Sequence, residues 1–285
     1  MKCIVSGNIS KGKDLRTVLK KLILIAEELK IDLYFDNQIS KFLGKKYSTN
    51  NNNSNYDLLI AIGGDGTILS AAQKVFKTKI PILGLNIGKL GFLTETSIES
   101  IKDVLINIIN KKYFLDKRSL IEIKIKNSAN IFYGLNEVVI DKGNSSRMIS
   151  VETFVEKEAL LTFNGDGVIV TTPTGSTGYS LATGGPIISP SAPVIGITPI
   201  SAHMLTARPV ILPDDKKIKI KVTSKFKKAR LVVDGNQEVV LNSSDTIEIK
   251  KSKYSINLVR QNSWSFYDLL RKKLLWGFDL RIISK

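Results

Sequence analysis

Short apolar runs alternate with amphipathic stretches over the first 115 residues of the chain. Three stretches carry apolar residues every three or four positions, which predicts helices at 14–29, 67–76 and 98–109. Four short apolar runs predict buried strands at 2–5, 31–35, 57–62 and 80–85. Strands separated by helices favour a parallel sheet with crossover connections, so we expect an α/β domain of the doubly wound type.

The pattern changes near Asp116. From there to about Val259 the apolar runs are short, and Gly, Pro, Asn and Ser separate them. This texture predicts a second, mainly β domain. A helical pattern returns at 266–275, and we expect this tail to pack back on the first domain. The predicted divisions of the chain are therefore 1–115, 116–260 and 261–285.

A glycine-rich turn, Gly63-Gly64-Asp65-Gly66-Thr67, follows the predicted strand 57–62. It places a carboxylate at the carboxyl end of a strand, which is where open α/β sheets bind ligands. Glycines at such a turn let the backbone approach a phosphate closely. The turn lacks the P-loop pattern, and Leu69 stands where the third Gly of G-x-G-x-x-G belongs. The simpler alternative is that Asp65 caps the following helix.

Two further segments place polar groups among apolar runs. Asn136 and Glu137 interrupt the run 135–140, and neighbours on a strand point to opposite faces unless the strand bulges or ends there. The alternative is a pair that faces solvent at a strand end. The segment Asp166–Pro186 crowds hydroxyls and glycines between strands, which suits phosphates, ribose hydroxyls and a base edge. Within it, Tyr179 offers a flat face for a ring.

Composition adds two constraints. The 285 residues are 43% apolar and 24% charged, an ordinary globular mixture, and no apolar run reaches the length of a membrane span. Cys3 is the only cysteine, so no internal disulfide is possible, and a reducing, cytoplasmic compartment is expected. The net charge of +16 suits a polyanionic nucleotide or a nucleic acid. Dispersed lysines without interleaved aromatic residues argue against the nucleic acid.

Five motifs together resemble those of NAD kinases in their order and spacing. They are Gly63–Thr67, Leu135-Asn136-Glu137, Ser145-Ser146-Arg147-Met148, Asp166–Pro186 and Arg208-Pro209. The match spans most of the chain, and its portion Thr172–Pro186 is highly specific. The glycine turn alone is less specific, because diacylglycerol-type lipid kinases and phosphofructokinases carry similar turns.

The resemblance implies a Rossmann-like N-terminal domain, a β-sandwich-like C-terminal domain and a site in the cleft between them. It also implies a cytoplasmic homo-oligomer, a dimer or a tetramer, with no membrane partner. Such an enzyme uses ATP and a divalent metal ion, Mg²⁺, to phosphorylate the adenosine ribose 2′-hydroxyl of NAD. Two alternatives stay open at this point: a lipid kinase of the diacylglycerol type from the same superfamily, and a non-catalytic nucleotide sensor.

Asp65 is the predicted catalytic residue, which hydrogen-bonds the 2′-hydroxyl and accepts its proton. Arg147 is expected to meet a phosphate, and Asp166 to be a further acceptor. The predicted NAD-binding residues are Asp65, Gly66, Asn136, Glu137, Arg147, Asp166, Thr174, Thr177, Gly178, Tyr179, Ser180, Leu181 and Ala182. Mg²⁺ is expected to bridge the ATP phosphates, without a dedicated metal cage of protein ligands.

The sequence departs from the family pattern at a few positions. Gly178 stands where Ala is usual, Thr183 stands where a smaller residue often precedes Gly-Gly, and Asn164 replaces a basic residue. Asp234-Gly235-Asn236-Gln237 resembles the family's Asp-Gly-Gln with one residue inserted, so either Asn236 or Gln237 is the residue that reaches the ligand.

Overall fold

The computed structural model describes residues 1–44, 55–88, 90–126, 128–224, 228–243 and 245–276. The chain divides into two compact units. The first unit combines Met1–Lys117 with Ile256–Lys285, and the second is Arg118–Ser255.

The first unit alternates strands and helices. Its elements up to residue 109 are β1 (Lys2–Gly7), α1 (Gly12–Glu28), β2 (Asp32–Phe35), α2 (Asn37–Leu43), β3 (Leu58–Gly63), α3 (Asp65–Val75), β4 (Ile82–Asn86) and α4 (Ile101–Ile109). Helix α2 has no counterpart in the sequence prediction. It begins after Asp36, whose carboxylate accepts the N–H of Ile39 at 2.9 Å and so caps the first turn.

The strands of the first unit form a parallel sheet in the order β2-β1-β3-β4. Leu83 and Leu85 of β4 belong to the core that α1 and α4 cover. Gly84 points to the other face, where an added Cβ would lie 3.0 Å from Ile68 of α3. Because helices cover both faces, the predicted doubly wound α/β arrangement is confirmed.

The second unit is built mainly of strands. The strands from residue 113 onward are β5 (Tyr113–Ile125), β6 (Ile131–Gly134), β7 (Glu137–Asp141), β8 (Ile149–Val155), β9 (Glu158–Gly165), β10 (Gly167–Thr171), β11 (Val194–Ile200), β12 (Val210–Pro213), β13 (Ile218–Thr223), β14 (Arg230–Val233), β15 (Gln237–Val240) and β16 (Thr246–Gln261). A short 3₁₀ helix (Thr174–Thr177) and the short helix α5 (Tyr179–Ala182) follow β10.

Two sheets pack face to face in this unit. One is antiparallel in the order β12-β11-β10-β7-β14-β15, and the other contains β16-β13-β8-β9 with β5 and β6 beside β16. Ile140 and Val170 of the first sheet share one hydrophobic core with Val151 and Ile220 of the second. A core formed by the inner faces of two sheets is that of a β-sandwich, so the predicted mainly β domain is confirmed.

The C-terminal segment belongs to the first unit. Leu258, near the end of β16, pairs in parallel with Ile82 of β4. Helix α6 (Phe266–Leu274) follows, and Lys273 donates a hydrogen bond to the carbonyl oxygen of Leu90. The predicted return of the tail to the first domain is therefore confirmed for its described residues, up to Trp276. Among the helices of the described residues, none is both long enough and apolar enough to cross a bilayer.

Candidate active site

Asp65 is the first residue of α3, directly after the strand β3 and Gly64. The N-cap position of the helix is occupied by Gly64, and no side chain caps it. The alternative interpretation of Asp65 as the helix cap is therefore wrong. The turn is tight, because a Cβ added at Gly63 would lie 2.1 Å from the hydroxyl oxygen of Thr67. Any larger residue at position 63 would collide with the side chain of Thr67.

The carboxylate of Asp65 is held by a second segment, the turn 91–94 between β4 and α4. Its Oδ2 accepts the backbone N–H of Phe92 at 2.8 Å. Its Oδ1 accepts the N–H groups of Leu93 at 2.9 Å and Thr94 at 3.1 Å, and the hydroxyl of Thr94 at 3.2 Å. Charge-assisted hydrogen bonds of this kind are the stronger ones. They fix the orientation of the carboxylate before any ligand binds.

The two oxygens of Asp65 are used unequally. An ionised carboxylate has about four lone-pair positions, two on each oxygen. Oδ1 accepts three hydrogen bonds, whereas Oδ2 accepts one within the described residues. Oδ2 therefore keeps capacity for one further donor, such as a hydroxyl. On the other side of Asp65, a Cβ added at Gly66 would meet nothing within 4 Å, so the backbone there is open to a close approach.

In the second unit, Asn136 and Glu137 lie where one strand ends and the next begins. Strand β6 ends at Gly134 and β7 begins at Glu137, so Asn136 lies in the connection between the two strands. The strand end explains why the two side chains need not point to opposite faces. Glu137 is buried, with 7% of its surface exposed, so the interpretation as a solvent-facing pair is wrong for Glu137.

Asp234 anchors this connection through its carboxylate. It accepts the backbone N–H groups of Leu135 at 2.8 Å, Asn136 at 2.8 Å and Glu137 at 3.2 Å. Asp234 is buried and has a φ of +49°, a conformation that Asp and Asn tolerate better than most residues. Sequence reasoning missed this role. The resemblance connected this stretch with the ligand through Asn236 or Gln237, and the Asp-Gly pair itself indicates only a hairpin turn.

The pKa of the Glu137 carboxyl is raised to about 7. Burial is the main cause, the charge of Asp234 adds to it, and a hydrogen bond from the backbone of Tyr179 opposes it. Near neutral pH this carboxyl is therefore partly protonated. In that state it can donate a hydrogen bond to a ligand as well as accept one.

Two polar atoms of this pair are buried without a partner among the described residues. They are Oδ1 of Asn136 and Oε2 of Glu137. Leaving a buried polar atom unpaired costs about 1–3 kcal/mol, so native structures rarely do so without a reason. Oε2 faces Gly178, where an added Cβ would lie 3.0 Å away. Both atoms are therefore available for a hydrogen bond from outside the described residues.

The hydroxyl-rich segment packs directly on Asn136 and Glu137. Thr172 donates its hydroxyl to the carbonyl oxygen of Leu135 at 2.6 Å and its N–H to that of Asn136 at 2.8 Å. Gly175 must be small, since its Cβ would lie 2.2 Å from the Asn136 carbonyl oxygen. The structure thus brings Asn136 and Glu137 together with Gly178 and Tyr179, as expected of one binding site.

Several predicted binding hydroxyls of this segment are engaged inside the protein. Thr174 is buried and accepts a hydrogen bond from Arg118 at 3.3 Å. Thr177 donates to the carbonyl oxygen of Thr174 at 3.3 Å, and the hydroxyls of Ser180 and Thr198 lie 3.0 Å apart. The more accessible groups come from α5 and the residue before it: Gly178, Tyr179, Leu181 and Ala182.

Asp166 and Arg147 lie at the other end of the same sheet. Thr171 pairs with Glu137, whereas Gly167 pairs with Asp141, so Asp166 is five residues along β10 from Thr171. At about 3.3 Å per residue this is roughly 16 Å. Asp166 is paired with Lys142 at 2.7 Å, and Arg147 is exposed on the turn that follows β7. The structure does not bring these two residues to Glu137, and their roles stay predictions.

Known proteins that match this chain identify its family. The model of the ATP-NAD kinase N-terminal domain matches residues 24–113, and that of the ATP-NAD kinase C-terminal domain matches residues 135–261. The NAD kinase of Flavobacterium johnsoniae is 39% identical over 266 residues, which cover 90% of this chain and 89% of that protein. The chain belongs to the NAD kinase family.

Two other members of the family match over four fifths of this chain or more. The NAD kinase of Bacteroides fragilis is 40% identical over 233 residues, or 81% of this chain and 80% of that protein. The NAD kinase of Chlorobium phaeobacteroides is 37% identical over 281 residues, or 97% and 98%.

Solved structures of the family share the fold. Yeast NADH kinase complexed with NADH has a TM-score of 0.89 and 25% identity, with 98% of this chain and 89% of that chain covered. An NAD kinase from Archaeoglobus fulgidus in complex with ATP has a TM-score of 0.78 and 27% identity, with 97% and 100% covered.

Proposed function

We propose that the protein transfers the γ-phosphoryl group of ATP to the 2′-hydroxyl of the adenosine ribose of NAD, which produces NADP. The observation that carries this proposal is the carboxylate of Asp65. It is fixed by three backbone N–H groups and still has one acceptor position on Oδ2. Membership of the NAD kinase family, with relatives matched over most of their length, supports the choice of acceptor.

In the proposed mechanism, Oδ2 of Asp65 accepts a hydrogen bond from the 2′-hydroxyl and takes its proton as the new O–P bond forms. Phosphoryl transfer passes through a loose transition state, so positioning and charge stabilisation supply most of the catalysis. A prefixed carboxylate fits this demand, since it does not have to reorganise when the hydroxyl arrives. General-base assistance of this kind contributes about 10²–10⁴-fold.

Asn136 and Glu137 are the proposed contacts to the ribose or the base of NAD. Their unpaired oxygens, Oδ1 and Oε2, support this role because a nucleoside offers both hydroxyl and amino donors. Tyr179, 46% exposed beside Glu137, supports stacking on a ring. The backbone and side chains of Thr177, Gly178, Leu181 and Ala182 would line the same pocket, while Thr174 and Ser180 hold its shape from inside.

Mg²⁺ is the proposed metal ion, and we expect it to arrive on the phosphates of ATP. Mg²⁺ prefers oxygen ligands and commonly binds through substrate phosphates with several waters. The described residues contain no group of three His, Cys, Asp or Glu side chains placed to hold a metal ion. Arg147, exposed on its turn, stays the proposed phosphate contact.

We further propose a cytoplasmic homo-oligomer. Three large apolar side chains on loops of the second unit support self-association, since exposed apolar surface often marks a contact between proteins. Met148 is 47% exposed, Met204 41% and Leu205 94%. The buried, reduced Cys3 accords with the cytoplasmic location.

A coupled assay tests the proposed reaction. Purified protein is mixed with ATP, Mg²⁺ and NAD, and an NADP-specific dehydrogenase reports the NADP formed. We expect NADP to accumulate with time and with enzyme concentration. A parallel reaction offers diacylglycerol in vesicles as the acceptor and labelled ATP as the phosphoryl donor. Phosphorylation of the lipid in place of NAD, or binding of NAD without turnover, would overturn the proposal.

A further inference from the structure

Arg260 is a buried arginine near the end of β16, in the first unit. Its side chain is 1% exposed, which makes it one of the largest fully buried side chains of the described residues. A guanidinium cannot lose its charge in a protein, so burial is tolerated only when several groups balance it. Such complete enclosure also excludes direct contact between this side chain and a substrate.

The partners of Arg260 come from three directions. Its guanidinium lies 3.0 Å from the carboxylate of Glu95 and 3.3 Å from that of Asp116. It also donates to the carbonyl oxygens of Leu93 and Phe92, both at 3.4 Å. The ring of Trp264 covers the guanidinium at 4.7 Å, a cation–π contact.

The same turn is therefore held from two sides. The N–H groups of Phe92 and Leu93 point to the carboxylate of Asp65, whereas their carbonyl oxygens accept hydrogen bonds from Arg260. Glu95, one residue beyond Thr94, ties the following part of the chain to the same guanidinium. The position of the N–H groups that bind Asp65 thus depends on the guanidinium of Arg260, which lies on β16.

We propose that Arg260 is a positioning residue for Asp65. It fixes the turn 91–94 and the adjoining Glu95, and this turn orients Oδ2 of Asp65 towards the acceptor hydroxyl. This inference rests on the proposed function, in which Asp65 is the group that binds the hydroxyl. A displacement of about 1 Å can lower turnover by about 10²-fold, so a loosened turn should affect kcat more than substrate affinity.

The planar fork of arginine is essential to this role. It reaches two carboxylates and two carbonyl oxygens at once, whereas the ammonium of lysine offers a single compact charge. Arg260→Lys keeps the positive charge beside Glu95 and Asp116, so we expect this variant to fold. We expect kcat to fall about 10-fold in Arg260→Lys and about 100-fold in Arg260→Gln, with KM for NAD within twofold of the wild type.

The matched control is Lys74→Met on α3, the helix that carries Asp65. Lys74 pairs with Asp36 at 2.7 Å and donates to Ser6 at 2.9 Å, and neither of these partners belongs to the turn 91–94. The substitution Lys74→Met removes this ion pair from the first unit, and we expect kcat to stay unchanged. Thermal midpoints of all variants are measured, so that a loss of folded protein is separated from a loss of turnover.

The deciding measurement is a double-mutant cycle with Asp65→Asn. If Arg260 acts through Asp65, then Asp65→Asn and Asp65→Asn with Arg260→Lys have kcat values within about twofold of each other. The inference is overturned if Arg260→Lys lowers kcat by the same factor in both backgrounds, or if it leaves kcat of the wild type unchanged. Full activity of Asp65→Asn would instead overturn the role of Asp65 in the proposed function.

Discussion

Gly91 and Asp65 are so close that only a glycine fits at position 91. A Cβ built on Gly91 would lie 2.0 Å from Oδ1 of Asp65 and 2.6 Å from the hydroxyl oxygen of Thr94. Both distances are well below a van der Waals contact. Gly91, the first residue of the turn 91–94, is thus as important for the carboxylate's position as the N–H groups that bind it.

Gly91→Ala should therefore displace the carboxylate while the fold persists. We expect kcat to fall by about 10²-fold, because the added methyl group and the turn cannot both keep their places. The measurement is kcat at saturating NAD, together with the thermal midpoint. Gly66→Ala is the matched variant, since nothing lies within 4 Å of a Cβ added at Gly66. A loss of turnover in this variant would therefore report on the space that the nucleotide needs. Unchanged turnover in Gly91→Ala would contradict the geometry.

Asp65→Asn tests the catalytic role directly. The oxygen of the amide can replace Oδ1, which accepts three hydrogen bonds, so the NH₂ group then faces the N–H of Phe92 and the substrate hydroxyl. It cannot accept a proton there. We expect turnover to fall about 10²–10⁴-fold. Calorimetric titration should give an NAD affinity within a few fold of the wild type, and turnover that survives within a few fold would remove Asp65 as the base.

Glu137 should make folding stability depend on pH. Its pKa is about 7 in the folded protein against an ordinary 4.5, so the folded state holds the proton more tightly than the unfolded state. The resulting stabilisation is complete below pH about 4.5 and is lost as the pH rises through 7. Over that range the loss amounts to at most about 3 kcal/mol, from 1.36 kcal/mol per pKa unit.

Glu137→Gln removes this titration, so the two proteins are compared by urea unfolding at pH 5 and pH 8. We expect the free energy of unfolding of the variant, relative to that of the wild type, to increase from pH 5 to pH 8. A free-energy difference that is the same at both pH values would show that Glu137 does not titrate as described. The variant should also raise KM for NAD, since Oε2 is a proposed contact to the nucleoside.

Asp234 should prove essential for stability through the three N–H groups that it accepts. Asp234→Ala leaves the N–H groups of Leu135, Asn136 and Glu137 without their acceptor, and we expect a loss of about 3 kcal/mol or more. Asp234→Asn keeps one oxygen and tolerates the positive φ, so the expected loss is about 1–2 kcal/mol. Urea unfolding measures both, and equal stability of the two variants would argue against this anchoring.

The proposed self-association is tested by light scattering. We expect the wild type to have a mass that is a multiple of 31.5 kDa, and Leu205→Asp to shift the mass towards a single chain. Leu24→Asp is the control, because Leu24 is 66% exposed on α1 in the first unit. A wild type that is already monomeric would contradict the proposal. A mass unaffected by Leu205→Asp would place the contact elsewhere.

The sequence predicted those strands and helices that depend on the apolar pattern of neighbouring residues. The apolar run 57–62 and the helical pattern 67–76 gave β3 and α3 within a residue or two, with Asp65 between a strand and a helix. The longest strand, β16, begins with the short apolar run 247–249, and its local pattern alone indicates only a short strand. The polar stretch Lys250–Lys253 interrupts its pattern, and pairing with distant strands continues β16 to Gln261.

The contacts that shape the site depend on distant residues, which is why the sequence did not predict them. Asp234 lies about a hundred positions from the residues it anchors, and Arg260 is still farther from Phe92. Neither has a periodic or motif signal for that role. The pKa of Glu137 likewise depends on burial and on Asp234, which only the folded chain creates.

Cys3 has a practical consequence for experiments in solution. It is fully buried in β1, and burial raises the pKa of its thiol to about 12. Because the thiolate is the reactive form, maleimides and spin labels should leave the native side chain untouched. A cysteine introduced at the surface of the wild-type background would then be the single labelled position, so fluorescence or electron paramagnetic resonance can follow either unit during turnover.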